Sequence, residues 1–518
     1  MTAVDTEPAA TTFATGTSRL VVVGHLAREV IALRGWLALA LTYFLVMSHL
    51  EVVNPAKPLK MAIPLSAFVS GAGAFGLAAL GLMRRREVSR RAVFCVLWCL
   101  SLAFLVVANW GFVISHVDHH EVIGQIRLVV RLAALVLVAT LPLWWFGKPR
   151  LVISALALVV LLMQFDRARV LSASTDPRID VFTLANEASA ALWRGENPYA
   201  AEYSNLYEAT KLDLGYSPGY NYFPAMLLSN ALADKLFGDV RAFFVLSELA
   251  CAFFIFRFAR AFGWARTEAW ALTALWCCTT LSFQVVEKWN DSLVLAAILG
   301  MLALLAERRW LLAGIAFGIA VASKQYAPLA LVPLAIWFWR VRSPGTKRFA
   351  GGVALGGGLV SLPFLIDQPS WLLHRTVLHF AGTPFREESL SLLNFLRSVF
   401  GFGIDSWVIR VAPFFGLAAG MGAACAITAR CRPADPVDIQ AAETQLHRLI
   451  VALLFMWAGF FHFIKQSFLN YHYFSLGVSV LLLVSLVQHH GIVRVVGAAA
   501  TKSGLDDPGP VEQSRVPR

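Results

Sequence analysis

Few of the 518 residues are of a type that does chemistry, and they collect in a handful of polar stretches. The first runs Asp176-Pro-Arg-Ile-Asp180 and on to Gly195-Glu-Asn-Pro-Tyr199. A carboxylate such as Asp176 or Asp180 can take a proton from a hydroxyl held within hydrogen-bond reach. Asp180 also stands immediately before a helical pattern, where it would serve as an N-cap worth about 1 kcal/mol. That pattern is Val181, Leu184, Ala188, Ala191 and Leu192, which predicts one greasy helix face suited to lying on a membrane surface. Gly195 ends the helix and Pro198 prevents it from resuming. Further on come Glu287 and Asp291, Lys324, the trio His374, Arg375 and His379, and then His462, Lys465 and His472. Cations of this kind either meet developing anionic charge or, for a Lys at the end of an apolar run, snorkel to the interface. Asp291 and Glu287 either bind ligand hydroxyls or pair with Lys288. Tyr199, Tyr203, Tyr207, Tyr216, Tyr220 and Tyr222 crowd one stretch, as stacking surfaces or as interfacial anchors.

The elements that must hold these groups are apolar. Hydrophobic residues make up 58% of the chain and charged ones 15%, with a mean hydropathy of +0.65. Runs of about 16 to 25 apolar residues recur, the length that crosses a bilayer core of about 30 Å. This excludes a soluble enzyme, a disordered chain and a nucleic-acid binder, and predicts an all-α polytopic membrane protein. About fourteen crossings are expected, near 30–50, 62–83, 92–115, 128–146, 150–166, 241–258, 268–286, 291–306, 310–323, 327–340, 349–366, 406–429, 448–464 and 473–488. Lys and Arg number 26 on the side of the termini against 18 on the other, and eleven of those 18 fall in two long loops where the rule has little force; this orients both termini to the cytoplasm of a plasma membrane. Long segments at about 167–240 and 367–405 then lie outside, with three shorter outer turns. The expected division is a polar tail at 1–29, a four-helix membrane module at 30–148, a membrane core at 149–489 and a polar cytoplasmic tail at 490–518. No cleavable signal peptide is evident. The cysteines lie in or beside apolar runs and support neither disulfides nor zinc.

Several motifs are set aside. Gly71-Ala-Gly-Ala-Phe-Gly follows no strand and sits in a membrane helix, so a nucleotide site is not expected. Gly352 and Gly356 have the small-xxx-small spacing of close helix packing. His116, Asp118, His119, His120 and Glu121 read as an interfacial turn rather than a metal cluster. Glu248 is the clearest ionisable group within a crossing; it is either a hydrogen-bonded structural acid or, in a lipid or solute transporter, the centre of a polar path.

The order of motifs resembles GT-C glycosyltransferases, polytopic enzymes that take sugars from polyprenyl-phosphate donors. The match lies in an Asp beyond a membrane span, an amphipathic helix, and then Leu192-Trp-Arg-Gly-Glu-Asn-Pro-Tyr199. Tyr222-Phe-Pro-Ala resembles the family's Tyr-Pro-Pro segment, and Ala322-Ser-Lys-Gln-Tyr its Thr-Lys turn. Trp289-Asn-Asp-Ser and Lys465-Gln-Ser-Phe-Leu-Asn-Tyr-His-Tyr sit where such enzymes carry polar turns. The nearest subgroup is the actinobacterial polyprenol-phosphate mannosyltransferase type, glycosyltransferase family 87, over roughly Leu151 to His489. One departure is that four spans precede the crossing that leads into the loop with Asp180, whereas in many members that loop follows the first span.

The resemblance implies a GT-C-like helical bundle with amphipathic helices in the first long outer loop. It implies an inverting hexosyltransferase that moves mannose to a lipid- or polymer-linked glycan, with Asp180 as general base. Lys324, His472, Lys465 and His462 become the cations for the donor phosphate. Asp176, Tyr199, Tyr222, Asp291 and Arg375 become substrate contacts. The expected partners are a polyprenyl-phosphate sugar, a glycolipid or glycan acceptor and the bilayer, with no nucleic acid. No metal and no cofactor is expected, since a lysine or histidine can neutralise a monophosphate. Polyprenyl-phosphate arabinose is the alternative donor, and a transporter is the alternative class.

Overall fold

The structure, a computed structural model, describes residues 90–111, 118–205, 219–279, 281–367, 369–379, 383–386, 389–403, 406–433 and 439–489. The expected crossings at 30–50 and 62–83, the Gly71 motif, His116 and both polar tails lie outside the described residues. Every regular element among the described residues is helical.

Among the described residues, seven helices are long and apolar enough to cross a membrane. They are α2 (His120–Trp145), α3 (Pro149–Ala173), α6 (Ala242–Ala261), α12 (Thr346–Asp367), α15 (Trp407–Ala429), α16 (Ile439–Phe463) and α17 (Leu469–His489). Shorter apolar helices complete the bundle: α1 (Arg90–Gly111), α9 (Asp291–Ala306), α10 (Trp310–Val321) and α11 (Leu331–Val341). Between them come α4 (Asp180–Trp193), α5 (Pro224–Phe237), α7 (Arg266–Cys278), α8 (Leu281–Lys288), α13 (Pro369–Leu373) and α14 (Leu392–Phe400). Outward faces are greasy: Leu135 and Leu161 are exposed, as are Phe414 and Phe415 on α15. In water such faces would be costly, whereas in a bilayer they meet acyl chains. The protein is a helical membrane protein.

Two of the boundaries that differ from the sequence expectation have a visible cause. The crossing expected to stop at 166 continues to Ala173, because Asp166 and Arg167 are buried in the helix rather than opening a loop. The crossing expected over 268–286 is broken into α7 and α8. Thr279 leaves helical geometry (φ −68, ψ 127), and the Cys277 carbonyl at the end of α7 accepts from the Arg167 guanidinium at 2.8 Å. Helix ends leave carbonyls without intrahelical donors, and Arg167 supplies one here.

α1 packs on α7 and α2, and its Phe94, Leu97 and Phe104 lie in the apolar core. The small-residue reading of the glycine run holds: an added Cβ at Gly352 would meet the Leu311 carbonyl oxygen at 2.2 Å, and at Gly356 that of Ile315 at 2.3 Å. Gly356→Val is therefore expected to force α10 and α12 apart and cost about 1–3 kcal/mol. Gly351→Ala, with nothing within 4 Å, is expected to leave the thermal midpoint in detergent unchanged.

Candidate active site

At one end of the bundle the start of α4, the segment 219–224, the start of α9, the 322–327 turn, residues 383–386 and 389–391 and the start of α17 pack together. Asp180, expected as the N-cap, is instead the first residue of α4, and the N-cap is Ile179. Its carboxylate accepts the Val181 N–H at 2.9 Å and is half-buried. Burial pushes its pKa up, while the Val181 bond and the Arg386 guanidinium pull it down; the net direction is upward. Tyr222 lies close enough to feel the Asp180 charge. The apolar face of α4 is not laid on a membrane surface. Leu184, Ala188 and Ala191 are buried, and α4 packs against α5. Trp193 donates to the Ala231 carbonyl at 3.2 Å, and the Arg241 guanidinium covers the Phe182 ring at 4.7 Å.

Lys324 sits in the turn after α10, 3% exposed. Its Nζ donates to Asp291 Oδ2 at 2.6 Å and lies 5.3, 5.8 and 5.6 Å from the ring centres of Tyr222, Tyr326 and Tyr471. Burial lowers the ammonium's pKa, and the Asp291 carboxylate opposes this. Asp291 also accepts from Tyr326 Oη at 2.6 Å and Asn470 Nδ2 at 2.7 Å. Its oxygens are thus engaged inside the protein by Lys324, Tyr326 and Asn470. Among the described side chains, the ion-pair partner of Asp291 is Lys324. The same turn holds the loop before α5: Ala225 N donates to the Ala322 carbonyl at 2.7 Å and Phe223 N to that of Ser323 at 3.3 Å. Gln325 closes the seam on the Asn221 carbonyl. Two of the motifs read from sequence are thereby one structural unit.

The late basic residues fasten a loop. Lys465 Nζ donates to the Thr383 carbonyl at 3.3 Å, and His472 Nε2 lies 3.2 Å from the Leu390 carbonyl oxygen. His462 is buried beside His472, ring centres 5.0 Å apart. Main-chain bonds join Arg386 N to the Lys465 carbonyl and Leu390 N to that of Ser467. The strap so held carries Arg386, half-buried beside the Phe468 ring and acting electrostatically on Asp180. Arg386 escaped the sequence reading, which singled out Arg375, His374 and His379 from the same outer loop. A usable signal was an Arg between Phe385 and Leu390, apolar anchors that hold a loop residue in place.

The remaining candidates have other partners. Asp176 is exposed on the turn after α3, its N–H bound to Asp118 Oδ2 at 3.1 Å. Asp118 also takes the Thr175 N–H and hydroxyl. Tyr199 is 1% exposed, and its hydroxyl donates to the Tyr222 carbonyl at 3.0 Å, so the Asn-Pro-Tyr motif braces the loop instead of offering a stacking face. Asn197 Nδ2 ties that loop to Asp367 at 2.6 Å. Arg375 packs against Gly219 and over the Trp371 ring, and acts on Tyr203. Glu287 is buried, with the Ser174 hydroxyl at 3.5 Å.

Residues 180–341, about a third of the chain, match the family model for the alpha-(1->6)-mannopyranosyltransferase N-terminal domain, the MptA_B family. The match opens on Asp180 and closes at the end of α11, so it contains Asp291 and Lys324 and stops short of Arg386. It supports a mannosyltransferase family and glycosyltransferase activity with mannose. No curated protein and no solved structure matches the chain.

Proposed function

We propose that the protein is an inverting GT-C-type mannosyltransferase that uses a polyprenyl-phosphate donor and a lipid- or polymer-linked glycan acceptor. The match over residues 180–341 is the observation that carries this reading. The acceptor hydroxyl gives its proton to Asp180 as its oxygen attacks the anomeric carbon. The bond from that carbon to the phosphate oxygen breaks, and the electron pair leaves on the lipid monophosphate. Burial raises the basicity of Asp180, which suits proton transfer near neutral pH. The departing phosphate wants a cation. Arg386, with a planar fork of N–H donors, is our choice for it, while Lys324 is held by Asp291. Tyr222, between Asp180 and Lys324, faces the sugar. We place this end of the bundle on the outer side of a plasma membrane, with both termini cytoplasmic, on the charge distribution of the turns.

The test is incorporation of labelled mannose from polyprenyl-phosphate mannose into glycan by membranes that contain the protein. Label above that of membranes lacking the protein supports the reading, and equal label overturns it. The pH profile gives a second check. Asp180 must be ionised to act, so activity falls as pH drops through its raised pKa. Removing a neighbouring cation disfavours the anion and raises that pKa further. Arg386→Met is therefore expected to move the acid limb of kcat/KM to higher pH; a limb that stays in place separates Arg386 from Asp180.

A further inference from the structure

Behind the candidate site lies a buried polar network centred on Glu248 of α6. Glu248 is fully buried. Its Oε1 accepts from the Ser292 hydroxyl at 2.8 Å and from the Tyr473 hydroxyl, and its Oε2 is 3.6 Å from Arg167 Nε. Arg167, also fully buried, reaches the Ser282 hydroxyl on α8 at 2.6 Å and the Cys277 carbonyl on α7 at 2.8 Å. One carboxylate thus joins α6 directly to α3, α9 and α17, and through Arg167 to α7 and α8.

Two of these partners are neighbours of site residues. Ser292 follows Asp291, and Tyr473 lies next to His472 and three residues beyond Asn470. Asn470 and Asp291 are themselves hydrogen-bonded. Glu248 therefore grips, from below, the first turns of the two helices whose contact forms the Asp291–Asn470–Lys324 cluster. Burying a carboxylate and a guanidinium in a bilayer-spanning bundle is expensive, and a hydrophobic replacement would often be as stable. Stability alone gives no reason for such a pair here, whereas fixing the relative position of α9 and α17 does.

We infer that Glu248 is a positioning residue that sets the register of α9 against α17 and so fixes Asp291, Lys324 and Asn470 for transfer. This rests on the mannosyltransferase reading of the site for its effect on rate, and on geometry alone for its effect on Lys324.

The experiment compares the full-length protein with Glu248→Leu, Glu248→Gln and Phe258→Ala. Phe258 is a buried residue of the same helix toward its far end, so its variant controls for general loosening. Acylation of Lys324 by a small amine reagent is followed by mass spectrometry, and mannose transfer is measured on the same samples. Glu248→Leu is expected to raise Lys324 acylation about tenfold and to lower transfer about thirtyfold. Glu248→Gln keeps an acceptor for both hydroxyls and is expected to recover most of the rate. In an Asp291→Asn background Glu248→Leu should add less than about threefold, because residues acting as a unit are not additive. Phe258→Ala should change neither readout beyond its shift in unfolding midpoint. Equal acylation in Glu248→Leu and Phe258→Ala, or losses that simply multiply in the double variant, would overturn the inference. If Glu248→Leu does not fold, Ser292→Ala and Tyr473→Phe replace it in the same comparison. A wild-type protein without transfer would sink the functional reading, while the acylation result would still decide on Glu248.

Discussion

Asp180→Asn is expected to lower mannose transfer about a hundred- to ten-thousand-fold, the span a positioned general base contributes. The chain should fold as before. An Asn side-chain oxygen can still accept the Val181 N–H that Asp180 accepts at 2.9 Å, and the buried apolar face of α4 is untouched. Only the capacity to take a proton is removed, so kcat should fall with little change in the donor KM. Steady-state kinetics with polyprenyl-phosphate mannose measure this. Full activity in Asp180→Asn would leave the residue as a helix-end group. Asp176→Asn is the companion variant. Asp176 is exposed on its own turn, and its loss should leave transfer close to wild type.

Lys324→Met is expected to act through stability. The pair with Asp291 is buried on both sides, and removal of one partner of such a pair costs about 3–5 kcal/mol because the other charge is left uncompensated. Tyr326 and Asn470 would still donate to Asp291, which favours the lower end. Adding Asp291→Asn removes the stranded charge, so the double variant should be less destabilised than the sum of the singles by about 1–3 kcal/mol. Thermal unfolding in detergent reads both quantities. A Lys324→Met protein of normal stability with a raised donor KM would instead make Lys324 a direct phosphate ligand.

The helical class of the fold was legible because apolar run length is a direct physical signal. The close approach of α10 and α12 was legible in the spacing of Gly352 and Gly356. Boundaries were less so. Arg167 reads as the first charge of a loop, and only the buried acceptors on α7 and α8 show why it belongs within α3. The amphipathic pattern of α4 was correct, but its apolar face found α5; periodicity reports that a face is buried and not what covers it. At the site, individual residue types suggested roles, and the fold shows what each group touches. Lys324 and Lys465 carry the charge a phosphate needs, yet one is held by Asp291 and the other by the Thr383 carbonyl. Arg386 lay hidden because its nearness to Asp180 comes from a strap some two hundred residues away in sequence, fastened by main-chain bonds no motif records.

The central claim is that mannose is transferred from a lipid monophosphate. It is tested most directly with purified protein in vesicles given a glycan acceptor and, in parallel, polyprenyl-phosphate mannose, polyprenyl-phosphate arabinose and a nucleotide-linked mannose. The account predicts transfer from polyprenyl-phosphate mannose, with inversion at the anomeric carbon and release of polyprenyl phosphate. Transfer from the nucleotide sugar or the arabinose donor alone, or no transfer from any of the three, would contradict it.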